Sequence, residues 1–414
     1  MEKKSEFYRR HEKQLRQLLK QIQEELLQEN IPFWQERILD ETYPGYLNCF
    51  DRRGRLEDDR KPGWFVGRTM YLFAALYNHI EPKEEWREIA KAGRDFMKGS
   101  FYLGDGRFAH MMSRSGKVLE GATSIFTDHF AVKGLYEYIA SCKEQAAEQD
   151  IAFARLLSET LFGNVRRPDV LQAEGIEPGW QKHAINFMTL LAALESRAVF
   201  GNLYDDILQD CVKKSLYEFA SDEYKAPFEY IGADGKPKPE GEGRLIDAGH
   251  TMESLWFSMR AGRECGHMTY IKRAETILDW VIARCYDETY GGFYQHVDVE
   301  KTIPQQRFLV NDYAGIPAAW DDKIWWVQAE GLNALAMSAL YNENERHYTY
   351  FLKLYDYVQN YFRDREFGEW YSILKRDGAV RSDKKGFELK GPYHVPRCLM
   401  QLTVVLKDYL SQAQ

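Results

Sequence analysis

The sequence predicts an all-α fold of twelve helices, arranged as six pairs that close on themselves rather than as an open solenoid. Three observations predict it. Apolar residues recur with helical period along most of the chain. The second helix of each pair starts near residues 64, 125, 183, 250, 323 and 393, giving spacings of 61, 58, 67, 73 and 70. Charged and nearly uncharged helices also alternate, as they do when a repeat unit cannot bury its apolar face alone.

Taken in order, the predicted pairs are 6–30 with 64–78, 84–97 with 125–140, 147–162 with 183–199, 204–220 with 250–261, 270–285 with 323–341, and 348–362 with 393–410. The run Met70-Tyr71-Leu72-Phe73-Ala74-Ala75-Leu76 has no ionisable charge at neutral pH, whereas Glu84-Glu85-Trp86-Arg87-Glu88-Ile89 is amphipathic. The first kind belongs inside and the second outside. Between helices, 46–54, 108–116, 228–235 and 370–378 each combine an aromatic-containing run with a terminal glycine. That pattern predicts short β-hairpins covering one end of the helical array. No flexible linker or low-complexity tract interrupts the chain, so 1–414 reads as one domain.

Composition narrows the function. The chain has 44% hydrophobic and 29% charged residues, enough to build a large core. Its net charge of -8 argues against a nucleic-acid phosphate footprint. Aromatic content of 14%, with 26 Tyr and 10 Trp, suits a pocket for an uncharged sugar. Cys49, Cys142, Cys211, Cys265, Cys285 and Cys398 are scattered without metal-like spacing and read as reduced thiols. The charged, amphipathic stretch 1–29 lacks a signal-peptide run, and nowhere do 18 apolar residues follow one another. The expectation is a cytoplasmic protein without a membrane segment, a metal or a cofactor.

If the inner helices run the same way, their starts converge on one mouth. The residues there are Trp64 and Arg68; Asp128 and His129; His183 and Asn186; His250, Glu253 and Trp256; Trp325, Trp326, Gln328 and Glu330; and Tyr393, His394 and Arg397. His250 and Glu253 are three residues apart and share one helix face. Imidazole exchanges protons near neutrality, so histidines recurring at helix starts point to acid/base chemistry. Gly249 ends the loop before the fourth inner helix, which is expected to begin at His250.

Several segments carry a resemblance. Trp64-Phe65-Val66-Gly67-Arg68, Arg244-Leu245-Ile246-Asp247-Ala248-Gly249-His250-Thr251-Met252-Glu253, Lys323-Ile324-Trp325-Trp326-Val327-Gln328-Ala329-Glu330, Gly368-Glu369-Trp370-Tyr371 and Lys390-Gly391-Pro392-Tyr393-His394-Val395-Pro396-Arg397 stand in order along the chain. In this the sequence resembles the N-acylglucosamine 2-epimerase family from about Phe33 onward. The resemblance implies an (α/α)6 barrel that inverts C2 of a reducing aldose without a metal. It gives His250 and His394 the paired acid and base roles, Arg68 the enediolate oxygen, and Glu253 and His183 the ring-opening proton transfers. Trp326 and Tyr393 would pack on the sugar; Trp64, Asp128, Asn186, Trp256, Gln328, Glu330 and Arg397 complete the binding surface.

Within the family, the segments at 244–250 and 394–397 resemble the N-acylglucosamine enzymes, and Leu389 stands where the cellobiose enzymes carry a stacking tryptophan. The first substrate pair is therefore GlcNAc and ManNAc, and the resemblance also makes a homodimer an expectation. The alternatives are a mannose or cellobiose 2-epimerase or an aldose-ketose isomerase of the same family. A glycoside hydrolase using carboxylates among Asp128, Glu253 and Glu330, or a non-catalytic binding scaffold, ranks below these. The natural sugar and any nucleotide activation are not legible in the sequence.

Overall fold

The computed structural model describes residues 5–300 and 302–412, so residue 301 and both ends of the 1–414 span lie outside the described residues. Among the described residues the twelve long helices are α1 (Glu6–Glu25), α2 (Gly63–His79), α3 (Glu84–Phe96), α4 (Ile125–Cys142), α5 (Glu148–Asn164), α6 (His183–Phe200), α7 (Asp205–Lys213), α8 (Ala248–Glu264), α9 (Met268–Cys285), α10 (Trp325–Asn342), α11 (Glu345–Tyr357) and α12 (His394–Gln412). Two short helices, Ile31–Gln35 and Pro168–Ala173, lie in connections. Helices α1, α3, α7 and α11 each run on into a wider π turn, at Leu26–Asn30, Met97–Phe101, Lys214–Glu218 and Val358–Phe362. No described helix is long and apolar enough to cross a membrane.

The chain forms two compact units. One contains the residues up to Phe33, Val212–Lys385 and His394 onward; the other contains Trp34–Cys211 and Gly386–Tyr393. In the first, α10 lies between α8 and α12, with α9 against α8, α11 against α10 and α1 against α12. In the second, α4 lies between α2 and α6, with α3 against α2 and α5 against α4. Side-chain burial follows charge. Every residue from Trp325 to Leu340 of α10 is buried, whereas α3 buries only Trp86, Ile89, Ala90, Gly93 and Phe96.

Pairing differs from the expectation in one respect. Charged helices α3, α5, α9 and α11 each pack chiefly against the uncharged helix before them in the chain, not the one after, and α1 packs against α12. The reason is loop length. Only residues 80–83 join α2 to α3 and 343–344 join α10 to α11, and so short a link forces an antiparallel neighbour. The long connections instead lead from a charged helix to the next uncharged one, and they hold the strands.

Those strands fix where the inner helices begin. Lys61–Pro62 runs directly into α2, Trp180–Lys182 into α6, Leu245–Asp247 into α8 and Lys323–Ile324 into α10. Lys61–Pro62 pairs with Met111–Met112, Leu245–Asp247 with His296–Asp298, and Lys323–Ile324 with Ile373–Leu374, all antiparallel. Hairpins form where the sequence predicts them: Cys49–Phe50 pairs with Leu56–Asp58, Met111–Met112 with Val118–Glu120, and Ile373–Leu374 with Val380–Ser382. In the fourth predicted segment, Gly232 N donates to Lys236 O at 2.8 Å, which closes a turn through Gly235.

One close approach requires glycine. A Cβ on Gly67 would lie 2.2 Å from the Phe130 carbonyl oxygen, and one on Gly134 would lie 2.5 Å from the Gly67 oxygen. Helices α2 and α4 therefore cross almost backbone to backbone, which brings Arg68 and Phe130 together.

Candidate active site

The start of α8 is built on an acidic cap. Asp247 is the N-cap, its side chain accepts from His250 N at 2.9 Å, and its carbonyl accepts from Thr251 Oγ1 at 2.8 Å. The helix thus begins at Ala248, two residues before the expected start, and Gly249 lies inside its first turn. Asp247 was cap-competent by type, but a cap one turn from a histidine needs the strand before it to be seen. Its Oδ2 also lies 3.0 Å from His296 Nε2 and 3.6 Å from His250 Nδ1. Burial opposes its charge, yet His250, His296 and the backbone N-H hold this carboxyl well below the usual range.

Glu229 stands 3.1 Å from His250 Nδ1 on the same side, so two buried carboxylates favour a proton on that nitrogen and make Nε2 the basic one. His394, the first residue of α12, shows the same arrangement: its Nδ1 lies 2.7 Å from Glu330 Oε1. Trp326 packs against both, with its ring centroid 5.4 Å from His250 and 5.6 Å from His394. Those two distances keep the imidazole centroids within ~11 Å of each other, a span that a hexose can bridge.

Gly249 makes room for this indole. A Cβ there would lie 2.2 Å from a Trp326 ring carbon. Gly249→Ala should therefore push Trp326 out of place at a cost of about 1–3 kcal/mol. A lowered melting temperature with altered tryptophan fluorescence is expected; wild-type values for both would refute the contact.

Behind His394 is a buried ionic knot. Arg397 Nη2 donates to Glu253 Oε1 and to Glu330 Oε1, each at 2.6 Å, and Trp256 Nε1 donates to Glu330 Oε2 at 2.7 Å. Arg397 has no exposed surface, and its guanidinium carbon lies 5.2 Å from the Trp256 ring centroid. Donor atoms of Glu253, Glu330 and His394 lie within 4.8 Å of one another, close enough to hold a cation. The guanidinium already supplies that charge by bonding both carboxylates, so the donor set suits arginine rather than a resident metal. Gln328 is also fully buried: its Oε1 accepts from Phe293 N at 2.8 Å and its Nε2 donates to Phe293 O at 3.0 Å. It clamps the strand-bearing loop.

In the other unit, Arg68 sits in an aromatic cage. Its guanidinium carbon is 4.0 Å from the Phe130 ring centroid, 4.7 Å from Tyr393 and 5.2 Å from Trp64. Lys133 Nζ donates to the Tyr393 hydroxyl and lies 3.8 Å from the Tyr71 ring centroid. Lys133 was missed in the sequence because a lone lysine in the middle of a mostly apolar helix, away from the helix start, carries no signal of its own. His183 opens α6, is buried, and meets Phe187 edge-on at 5.6 Å.

Asp128 and Asn186 act as braces here. Asp128 pairs with Arg107 and accepts from Phe108 N at 3.0 Å, while burial raises its carboxyl to about 7. Asn186 Nδ2 donates to the Cys211 carbonyl at 2.9 Å. The neighbouring His129 is fully buried against Ile125 O at 2.9 Å, and burial lowers its pKa to about 4. A histidine that charges near 6.5 when unfolded but near 4 when folded makes the unfolded state the better proton binder in that window. Stability should therefore fall as pH drops from 6.5 to 4, by about 3 kcal/mol from this residue. Denaturant midpoints at pH 7 and 4.5 check this: His129→Gln should flatten the difference, and an unchanged slope would refute it.

Residues 45–398 match the family described as N-acylglucosamine 2-epimerase (GlcNAc 2-epimerase). The chain is 26% identical to the N-acylglucosamine 2-epimerase of Homo sapiens over 395 residues, covering 92% of this chain and 88% of that protein. Among solved structures it is similar to the cellobiose 2-epimerase from Bacillus thermoamylovorans B4167, with a TM-score of 0.78 at 17% identity, covering 94% of this chain and 99% of that one. A D-mannose isomerase matches with a TM-score of 0.77 at 17% identity, over 95% and 98% of the two chains. These structural likenesses show the fold, the (α/α)6 barrel of the sugar epimerases. With a match spanning most of its length, the chain belongs to the N-acylglucosamine 2-epimerase family.

Proposed function

We propose that this protein inverts C2 of a reducing aldose through ring opening, loss of the C2 proton and return of a proton to the opposite face of the enediolate, with GlcNAc and ManNAc as the substrate pair. The family is one of isomerases. The observation that carries the mechanism is the pair of imidazoles flanking Trp326, each with a carboxylate on Nδ1. With Nδ1 protonated, one Nε2 takes the C2 proton as the other imidazolium delivers one from the far side; the roles exchange in the reverse direction. Glu229 and Glu330 stabilise the imidazolium formed in each half of the cycle.

Glu253, through their shared bond to Arg397, helps hold Glu330 in place beside His394, and so supports the base. Arg68 and His183 take the enediolate-oxygen and ring-opening roles that the family likeness assigns, with Trp64 and Tyr393 packed around Arg68. A glycoside hydrolase is disfavoured because its candidate carboxylates are already taken up: one guanidinium bonds both Glu253 and Glu330, and Asp128 is bonded to Arg107 and Phe108 N.

The deciding experiment is incubation with GlcNAc, ManNAc, glucose, mannose and cellobiose in D2O, followed by NMR. Deuterium at C2 of one sugar, greatest for the N-acetylhexosamines, is expected; no C2 deuterium in any of them would overturn the proposal. We also place the protein in the cytoplasm as a homodimer acting on free sugars, away from nucleic acid and membrane. Sedimentation at the monomer mass of 48.5 kDa would remove the dimer.

A further inference from the structure

The unit that carries the two histidines has a cavity of about 360 Å³ whose lining includes neither of them. It is bounded by the loop after α9 and by the end of α11 with its π turn. Its aromatic surface is Tyr286, Tyr290, Tyr357 and Tyr361, and Asp356 and Asn360 stand at its edge. A volume at the lower end of the ~300–1,000 Å³ range for small-molecule sites fits a single sugar ring.

The aromatic faces are held in place from beneath. Tyr357 is buried, and a Cβ on Gly291 or Gly292 would fall 2.9 or 2.8 Å from its ring, so the two glycines let the loop backbone lie flat against it. Both glycines have positive φ, +81° and +74°. Tyr361 lies 5.1 Å from Tyr357, centroid to centroid. Tyr361 and Tyr290 nonetheless remain 44% and 48% exposed, which is a large apolar area to leave in water within one cavity. Among the described residues the Tyr357 hydroxyl is buried without a hydrogen-bond partner, an unmet demand at the cavity floor.

The charges select the ligand. Asp287 lines the cavity, but Lys323 at 3.2 Å and Arg376 at 2.7 Å neutralise it. Of the remaining lining groups, Glu288 and Asp356 are acidic and Lys353 is basic. Such a rim repels a phosphate and offers no concentrated negative field to a cation. It does offer carboxylate, amide, ammonium and phenol groups, which both donate to and accept from ring hydroxyls, beside tyrosine faces suited to the C-H face of a pyranose.

We propose that this cavity is a second saccharide site, which takes one uncharged pyranose stacked on Tyr361 and Tyr290, with its hydroxyls bonded to Asp356 and Asn360. It binds sugar whether or not that sugar can open its ring, and so does not rest on the epimerase reaction.

The test uses methyl β-glucoside, methyl α-mannoside and methyl β-N-acetylglucosaminide, whose blocked anomeric carbon prevents ring opening, with saturation-transfer NMR on the full-length protein. At least one should receive saturation from the wild type. Tyr361→Ala and Asp356→Ala should each raise its Kd roughly tenfold. Both variants should exchange the C2 hydrogen of a reducing substrate at the wild-type rate, and His394→Asn should keep the saturation signal. The proposal is overturned if no glycoside receives saturation, if both cavity variants bind as the wild type does, or if the signal disappears in His394→Asn.

Discussion

His394→Asn is expected to lower C2 hydrogen exchange by about 10²–10⁴-fold, the range that a positioned proton-transfer group contributes. Asparagine keeps a donor for Glu330 Oε1, so the knot behind it survives and the loss reports proton transfer. His250→Asn should match it in size. The two variants are distinguishable, because each lacks the group for one face of C2: one should retain slow exchange starting from one epimer, and the other from its partner. NMR in D2O from each pure epimer reads this directly. If either variant exchanges both epimers at the wild-type rate, that histidine is not a C2 acid or base.

Arg397→Met should be the most destabilising single change in the site, at about 3–5 kcal/mol, because it leaves Glu253 and Glu330 buried without their shared cation. The cost lies in the stranded charges rather than in lost packing, since methionine fills much of the same volume. Adding Glu253→Gln to Arg397→Met removes one of those charges, so the double variant should recover part of the loss. Thermal unfolding of wild type, both single variants and the double variant closes the cycle. Strictly additive effects would mean that the three groups do not act as one network.

The helices were legible because apolar period and charge are local properties. Even the π turns that extend α1 and α11 fall inside the predicted 6–30 and 348–362. Which helix packs behind which was not legible, because that depends on connection length rather than on the helices themselves. At the site, His250, Trp326 and His394 could be named from their places at helix starts, and the structure brings all three together. Their carboxylate partners were harder. Glu330 was named but without its role, and Glu229 lies in a stretch that reads only as a hairpin strand. Asp128, Asn186 and Gln328 show the converse: a polar residue at an inner-helix start can serve a neighbouring backbone group as readily as a ligand.

Because strands run straight into α2, α6, α8 and α10, the reactive end of each of those helices is anchored by sheet pairing rather than by the length of the chain leading to it. Residues can be gained or lost in the preceding stretches while the starts of these four helices keep their places. Such an architecture lets loop sequence diverge while the helical frame stays fixed, in keeping with 17% identity at a TM-score of 0.78.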